Sequence, residues 1–244
     1  MGIRKIIKKI LKLEIKEPFL YLQQSVIELN NYQELKKIFG WEKEPILDRR
    51  DINDFESIED VNERRIKDAE CLAIVMRNLN PKNALEIGTS DGLGTLLMSV
   101  NSPSSTIYTV NILPEEIHSG EGGIYTTIAH EKEKIGIAFK ERGIKNIHQI
   151  FANTVSWQPD FDSIEVAFID GCHDTEFVIN DTKKIINYMK PGSIIMWHDF
   201  NLDLVKKYPW INTVCLGVEK LFEEGIIKGR IFHVKDSWIG IYQI

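Results

Sequence analysis

The sequence has few cysteines and no long apolar segment. Its three cysteines, Cys71, Cys172 and Cys215, are far apart in the 244 residues and odd in number. This pattern does not fit a disulfide framework, so it indicates reduced thiols and predicts a cytoplasmic protein. No apolar run approaches the roughly 20 residues that cross a bilayer. The basic N-terminus lacks the apolar core and the cleavage site of a signal peptide, so none is expected.

An excess of positive charge is also missing. The formal net charge is −6 at pH 7, from 30 basic and 36 acidic residues. Proteins that bind nucleic acid through a general electrostatic surface are usually basic, so no nucleic-acid partner is expected. Apolar residues nevertheless make up 43% of the chain, which is enough for the core of one α/β domain with a small extension.

The first 13 residues, "MGIRKIIKKILKL", place isoleucine and leucine on one helical face and basic residues on the other. This spacing predicts a basic amphipathic helix. Two roles remain open: it could pack on its own domain or on a second subunit of a homo-oligomer, or lie on an anionic membrane surface. A further helix is expected near residues 20–38, followed by a polar segment. Residues 1–60 are therefore predicted to be a helical extension that covers the site or mediates oligomerisation.

From residue 61 the sequence alternates between helix-like and strand-like segments. Strand patterns cover residues 84–87, 106–110, 147–151, 166–169 and 193–197, and helix patterns cover residues 94–100, 125–142, 175–189 and 213–224. The last two strand patterns, "RIFHV" and "WIGIYQI", are close enough to form an antiparallel hairpin. The prediction for residues 61–244 is an α/β fold with a doubly wound, mostly parallel, seven-stranded Rossmann-like sheet that ends in this hairpin.

A glycine-rich turn follows the first of these strands, in "NALEIGTSDGLGTLLMSV". Glu86 closes the strand, and the glycines after it have the spacing Gly-x-x-x-Gly-x-Gly. Glycine lets a ligand approach the backbone, and the following helix offers free N–H groups. A dinucleotide fingerprint would read Gly-x-Gly-x-x-Gly, so the spacing argues against NAD. A nucleotide- or NAD-binding Rossmann enzyme is kept as an alternative.

The turn resembles motif I of the class I S-adenosylmethionine (SAM)-dependent methyltransferases, in which an acid and the glycine loop hold the methionine part of the cofactor. The resemblance implies SAM as cofactor. Asn111 stands where the family usually has an acid for the ribose hydroxyls, and Asn153 stands where the adenine would be met. The cofactor-binding residues expected in this way are Glu86, Gly88, Thr89, Ser90, Gly92, Asn111, Asn153 and Asp170.

Two later strands also end in polar side chains. Asp170 ends the strand in "AFIDGCHDTEF", with His173 just behind it, and the strand in "IIMWHDF" ends in His198 and Asp199. Because neighbouring parallel strands present their carboxyl ends to the same edge, these four side chains should face one another across a crevice. Two carboxylates and two imidazoles would repel or lack partners there without a cation, a proton or a substrate.

The order Asp-Gly-x-His…Lys-Pro-Gly…His-Asp resembles a branch of the class I methyltransferases that includes sugar and macrolide-sugar O-methyltransferases, several of them magnesium-dependent. The resemblance covers roughly residues 60–244. It implies O-methylation of a hydroxyl on a small molecule or sugar, with Mg²⁺ or another divalent cation on Asp170, Asp199 and His198. His173 is the expected general base, with Asp170 orienting the acceptor and His198 as the alternative base. A non-catalytic SAM-binding or scaffold protein is the alternative from another class.

Overall fold

A computed structural model describes residues 19–47, 63–117 and 131–244. The predicted basic helix of residues 1–13 and residues 48–60 of the predicted extension lie outside the described residues. None of the three cysteines forms a disulfide, in agreement with the sequence. Within the described part of the chain, no helix has the length and apolar character needed to span a membrane.

The described elements alternate between strand and helix over most of the chain. The strands are β1 Val26–Leu29, β2 Asn83–Ile87, β3 Thr106–Asn111, β4 Ile147–Phe151, β5 Val166–Ile169, β6 Ile194–Trp197, β7 Ile231–Val234 and β8 Gly240–Gln243. The α-helices are α1 Leu20–Ser25, α2 Tyr32–Phe39, α3 Glu63–Leu79, α4 Leu93–Asn101, α5 Ile137–Glu141, α6 Thr175–Ile186 and α7 Pro209–Glu223.

All eight strands form one sheet in the order β1-β7-β8-β6-β5-β2-β3-β4. The five strands from β2 to β6 are parallel to one another, whereas β8 runs antiparallel to both β6 and β7. The predicted mostly parallel sheet with a terminal antiparallel hairpin is confirmed. The chain runs outward from β2 to β4 and then returns to β5 on the other side of β2. The strand order therefore reverses between β2 and β5, where open α/β sheets bind ligands.

The sheet has one strand more than the seven predicted. Val26–Leu29 pairs in parallel with β7 at the edge of the sheet. The continuous helix expected near residues 20–38 is therefore wrong. It is divided by this strand, and α2 begins afresh where the Asn31 side chain accepts hydrogen bonds from the backbone N–H groups of Gln33 and Glu34. An apolar, β-branched pair of residues next to the open edge of β7 favours the strand over the local helix pattern.

The helix predicted over residues 125–142 is also wrong in its described part. Only α5 and a short 3₁₀ turn at Lys132–Lys134 are helical between residues 131 and 142. Gly136, with a φ of 72°, separates the two and interrupts any longer helix. The backbone N–H of Gly136 donates to the carbonyl of Ser90 at 2.9 Å, so this segment is fastened to the glycine loop.

Two apolar layers cover opposite faces of the sheet. On β6, Ile194 and Met196 pack with the layer that includes α3 and α4, whereas Ile195 and Trp197 pack with the layer that includes α6 and α7. This alternation follows from the two-residue period of a strand. The central strands β5 and β6 are therefore buried on both faces.

Candidate active site

The glycine loop packs directly against the end of β5. Gly88 has a φ of 103°, and its N–H donates to the carbonyl of Val110 at 2.8 Å. A Cβ atom at this position would overlap the backbone carbonyl of Asp170. Glycine is therefore required by both the backbone conformation and the close approach of the two strand ends. The loop and Asp170 are parts of one site, as the sequence predicted.

Glu86 lies beneath the loop and is 2% exposed. Its carboxylate accepts hydrogen bonds from the hydroxyl groups of Thr95 and Thr109, the latter at 3.0 Å, and it contacts the region of Gly94. The carboxylate thereby ties β2 to β3 and to the first turn of α4. Burial raises the pKa of Glu86 to about 8.

Replacing Glu86 with glutamine is expected to flatten the pH dependence of stability between pH 4.5 and about pH 8. In this window the folded protein keeps a proton on Glu86 that the unfolded chain releases. The free energy of unfolding of the wild type therefore falls as the pH rises, by up to about 1.4 kcal/mol for each pKa unit of the shift. Urea unfolding of both proteins at pH 5 and pH 8 measures this. An equal decline in the variant would show that Glu86 does not hold the proton.

The other residues predicted to bind the cofactor lie in the glycine loop or at the carboxyl ends of β3 and β4. Ser90 has a φ of 50°, and its N–H donates to the Asn111 Oδ1 atom at 3.1 Å. The Asn111 side chain, at the end of β3, is thus held against the loop. The Thr89 hydroxyl is buried, at 2.7 Å from that of Thr109. Asn153 follows β4, where its Oδ1 atom accepts from the N–H of Val155 at 3.0 Å and closes a turn.

Gly92 immediately precedes α4, with a φ of 90°. A Cβ atom there would lie 2.7 Å from the Phe139 ring. The loop is therefore packed closely between β5 on one side and the α5 segment on the other, which leaves the backbone of residues 88–92 held in place.

The carboxyl ends of β5 and β6 bring four ionisable side chains together. The His173 Nε2 atom lies 3.0 Å from Asp199 Oδ2 and 4.0 Å from Asp170 Oδ1. The His198 Nδ1 atom lies 2.9 Å from Asp170 Oδ1 and 3.4 Å from Asp199 Oδ2. The predicted convergence of these residues is observed. We call Asp170, His173, His198 and Asp199 the acidic cluster.

The turn after β6 directs Asp199 into the cluster. Asp199 has a φ of 54°, a left-handed conformation that Asp and Asn tolerate better than other residues with a Cβ atom. The turn is held on both sides, because the His198 N–H donates to the Ile169 carbonyl at 3.0 Å and the Phe200 N–H donates to the Trp238 carbonyl at 2.9 Å. The Asp199 carboxylate thus extends from a fixed backbone.

Charge pairing outweighs desolvation in the acidic cluster. Burial opposes ionisation of Asp170 and Asp199, but the neighbouring histidines hold the pKa of both carboxyl groups below the ordinary range. Burial also disfavours the imidazolium forms, yet Asp170 and Asp199 raise the pKa of His173 to about 9 and that of His198 well above its usual value. The cluster by itself therefore attracts and holds positive charge.

The donor atoms of this cluster suit a divalent cation. Among the described residues, one group of three or more potential ligands has its atoms within 4.8 Å of one another, namely Asp170, His173 and Asp199. Within the described residues the buried His173 Nδ1 atom has no hydrogen-bond partner, whereas the buried His198 Nδ1 atom is close to both carboxylates without an aligned hydrogen bond. Two carboxylates with one imidazole form a mainly oxygen set that fits Mg²⁺ or Mn²⁺. His198, rather than His173, was the third ligand expected from the sequence.

Sequence reasoning missed one contact of the cluster. Asp68, in α3, places its Oδ2 atom 3.3 Å from the His198 Nε2 atom. No motif marks this residue, and it lies 130 positions before its partner in the chain. The sequence offers no signal for it, because Asp68 lies among other charged residues, including Arg65, Lys67 and Glu70.

A family model described as a methyltransferase domain matches residues 85–200, slightly less than half of the chain. The match runs from β2 to the turn after β6 and includes the glycine loop and the whole acidic cluster. No curated protein matches the sequence.

Several solved structures have a similar fold. The O-methyltransferase NovP is 15% identical, with a TM-score of 0.55 over 74% of this chain and 79% of that chain. The O-methyltransferase from Bacillus cereus, in complex with SAH, is 12% identical, with a TM-score of 0.55 over 87% and 96%. The SAH-bound methyltransferase PaMTH1 from Podospora anserina is 15% identical, with a TM-score of 0.53 over 88% and 97%. At these identities the similarity concerns the fold.

The family match and the fold agree with the site geometry. The matched segment carries the glycine loop at the point where the strand order reverses, and the flanking strands complete the sheet. Residues 85–200 therefore resemble a methyltransferase domain, and the chain shares the fold of the similar solved methyltransferases.

Proposed function

We propose that this protein transfers the methyl group of SAM to a hydroxyl group of a small-molecule acceptor, with a sugar hydroxyl as the narrower expectation. The observation that carries the proposal is the contact between the glycine loop and the acidic cluster, where Gly88 packs on the carbonyl of Asp170. A cofactor on the loop would lie beside groups able to bind and deprotonate an acceptor. Two of the similar solved structures are named as O-methyltransferases, and one of these, like the methyltransferase PaMTH1, holds SAH, which supports the same chemistry.

The loop residues are proposed to hold SAM mainly through the backbone. The side chains of Glu86 and Thr89 are buried beneath the loop and shape it from behind. The backbone of Gly88 and Ser90 faces the methionine part of the cofactor in this proposal. Asn111 would bind the ribose hydroxyls with its amide, since an amide can hydrogen-bond a diol. Asn153 would meet the adenine from the end of β4.

Asp170, His173 and Asp199 are proposed to hold a divalent cation such as Mg²⁺. A bound cation of this kind lowers the pKa of an acceptor hydroxyl and fixes its orientation. The residue left to accept the hydroxyl proton would then be His198, whose Nδ1 atom lies beside Asp170 and Asp199. A cation on these two carboxylates would weaken their hold on a proton at His198 and so free the ring to act as a base. In this arrangement His173 binds the cation and His198 acts as the base, whereas the sequence suggested His198 as the ligand and His173 as the first choice of base. It is favoured because the ligand atoms of His173, not His198, complete the group of three.

The N-terminal residues, the location and the partners of the protein also remain proposals. Residues 1–13 are proposed to contact the domain, a second subunit or an anionic membrane surface. Residues 1–60 remain a proposed covering or oligomerisation segment, of which the described part packs as α1, β1 and α2 on the sheet and on α7. A cytoplasmic location and the lack of a nucleic-acid partner also remain predictions.

A thermal-shift panel with SAM, SAH, NAD and NADP tests the cofactor. A ligand present at 100 times its Kd stabilises the folded state by about 2.7 kcal/mol. For a chain of this length we expect SAM and SAH to raise the Tm by about 5–10 °C. NAD and NADP should cause no shift, because the glycine spacing does not fit a dinucleotide. A shift with NAD alone would support the Rossmann alternative, and SAM binding without methyl transfer to any hydroxyl acceptor would support a scaffold.

A further inference from the structure

The loop that follows β4, residues 153–157, is fastened to helix α6, and we call it the β4 loop. Lys184, in the last turn of α6, donates hydrogen bonds to three backbone carbonyls of this loop, those of Thr154, Val155 and Trp157. An ammonium group has three N–H donors, so these carbonyls use its full capacity. Asn180, one turn earlier in α6, also donates to the Thr154 carbonyl, at 3.3 Å. The carbonyls of the loop are therefore turned towards α6.

Hydrogen bonds inside the β4 loop decide which group of Asn153 is left for a ligand. The Asn153 Oδ1 atom accepts from the Val155 N–H at 3.0 Å. The backbone carbonyl of Asn153 accepts from the N–H groups of Ser156 and Trp157, at 3.1 and 2.9 Å. A backbone N–H can only donate, so the amide oxygen faces Val155 and the orientation of the side chain is fixed. The Nδ2 group makes no hydrogen bond to another residue in the described part of the chain, and it remains as a donor.

The β4 loop begins at the edge of the sheet that carries the glycine loop. The Ala152 N–H donates to the Asn111 carbonyl at 3.0 Å, and the Asn111 side chain accepts from the Ser90 N–H in the glycine loop. Asn111 is the residue proposed to bind the ribose, so the base attached to that ribose would come next to the β4 loop. Adenine offers acceptors at its ring nitrogens and a donor at its 6-amino group.

We infer that Asn153 recognises the base of the cofactor by donating from Nδ2 to a ring nitrogen of adenine, and that Lys184 is the positioning residue that holds the loop in the required turn. The inference rests on the proposed function, because it needs SAM or SAH on the glycine loop. An amide held the other way round would accept from the 6-amino group instead. That orientation would set the NH₂ group of Asn153 against the Val155 N–H, two donors facing each other.

The Asn153→Asp variant separates these two contacts. One carboxylate oxygen can still accept from the Val155 N–H, so the loop keeps its turn. The other oxygen can only accept and would face the lone pair of the ring nitrogen. We expect the affinity for SAH, measured by calorimetry, to fall at least roughly tenfold, because a buried acceptor is left without its donor. A contact with the 6-amino group would instead keep or strengthen the binding.

SAH analogues in which N1, N3 or N7 of adenine is replaced by a C–H group identify the nitrogen that Asn153 contacts. One of the three analogues should bind the wild type roughly tenfold more weakly than SAH does. The same analogue should bind Asn153→Asp no more weakly than SAH, because the variant no longer donates to that position.

The Lys184→Met variant keeps the length of the side chain but removes its three donors. We expect the preference of the protein for SAH over the weakened analogue to fall from roughly tenfold to less than about threefold, because Asn153 is no longer held in place. A role in stability alone would not change a preference between two ligands. Without ligand, the amides of residues 155–157 should exchange hydrogen faster in this variant. The control is Lys183→Met, since Lys183 is the neighbouring residue of α6 but pairs with Glu224.

Lys183→Met should match the wild type in both preference and exchange. Unchanged or stronger SAH binding by folded Asn153→Asp would overturn the inference and leave the proposed function intact. Equal binding of SAH and all three analogues by the wild type would overturn it even if no variant folds. Exchange that is as slow in Lys184→Met as in the wild type would overturn the role of Lys184. If the wild type binds no SAH, the proposed function fails and the contact with the base fails with it.

Discussion

The Asp199→Asn variant is expected to lose methyl transfer by at least roughly a hundredfold, more than the loss typical for partners outside the first ligand shell. The change removes one of the two carboxylates proposed to bind the cation and leaves the side-chain size almost unchanged. Asparagine is preferable to alanine because Asp199 has a φ of 54°, which asparagine tolerates and alanine does not. Methyl transfer from SAM, measured with EDTA and then with added Mg²⁺ or Mn²⁺, gives the result.

The control for this variant is Asp203→Asn. Asp203 lies in the same connection after β6 but is exposed and outside the acidic cluster. It undergoes the same change from carboxylate to amide, and its activity should match the wild type. Full activity of the wild type in EDTA, together with an active Asp199→Asn protein, would remove the cation from the mechanism and leave His173 or His198 as a simple base.

The Gly88→Ala variant is expected to be destabilised by more than about 3 kcal/mol and to lose measurable SAM binding. The left-handed backbone alone costs an alanine about 1–2 kcal/mol. The added Cβ would also overlap the carbonyl of Asp170, so either the loop or the end of β5 must move. Movement of β5 would displace the Asp170 carboxylate as well. Urea unfolding gives the stability, and calorimetry with SAH gives the affinity of any folded fraction.

Gly229→Ala separates the two causes of this loss. Gly229 has a φ of 104°, nearly that of Gly88, but a Cβ atom there meets nothing within 4 Å. It should therefore show the backbone cost alone and bind SAH normally. If Gly88→Ala were no less stable than Gly229→Ala and bound SAH with the same affinity, the close packing of the loop on β5 would not matter for the site.

Much of the site could be predicted from the sequence because its residues follow short apolar strands. Asp170 and Asp199 end β5 and β6, which are neighbours in the sheet, and parallel strands bring such ends to one edge. The glycine loop was placed at the same edge by its position after β2. These conclusions require only the order of strands and helices, which local patterns reveal well.

Other features depend on contacts that local patterns do not contain. The β1 strand forms because β7 offers an open edge more than 200 residues later in the chain, so residues 20–38 resembled a single helix. The contact of Asp68 with His198 joins residues that lie 130 positions apart in the chain. The burial of Glu86 behind the loop depends on Thr95 and Thr109, which no motif connects with it. In each case tertiary packing decides the outcome.

Binding of Mn²⁺ in the presence of SAH, followed by electron paramagnetic resonance, would decide whether the acidic cluster is a cation site. We predict one Mn²⁺ bound by each wild-type chain and by each Asp203→Asn chain, displaced by excess Mg²⁺. Binding should be lost in both Asp170→Asn and Asp199→Asn, whose side chains no longer carry the charge that attracts the ion. Absence of binding to the folded, SAH-bound wild type, or equal binding by the two cluster variants, would contradict the proposed cation-assisted transfer at β5 and β6.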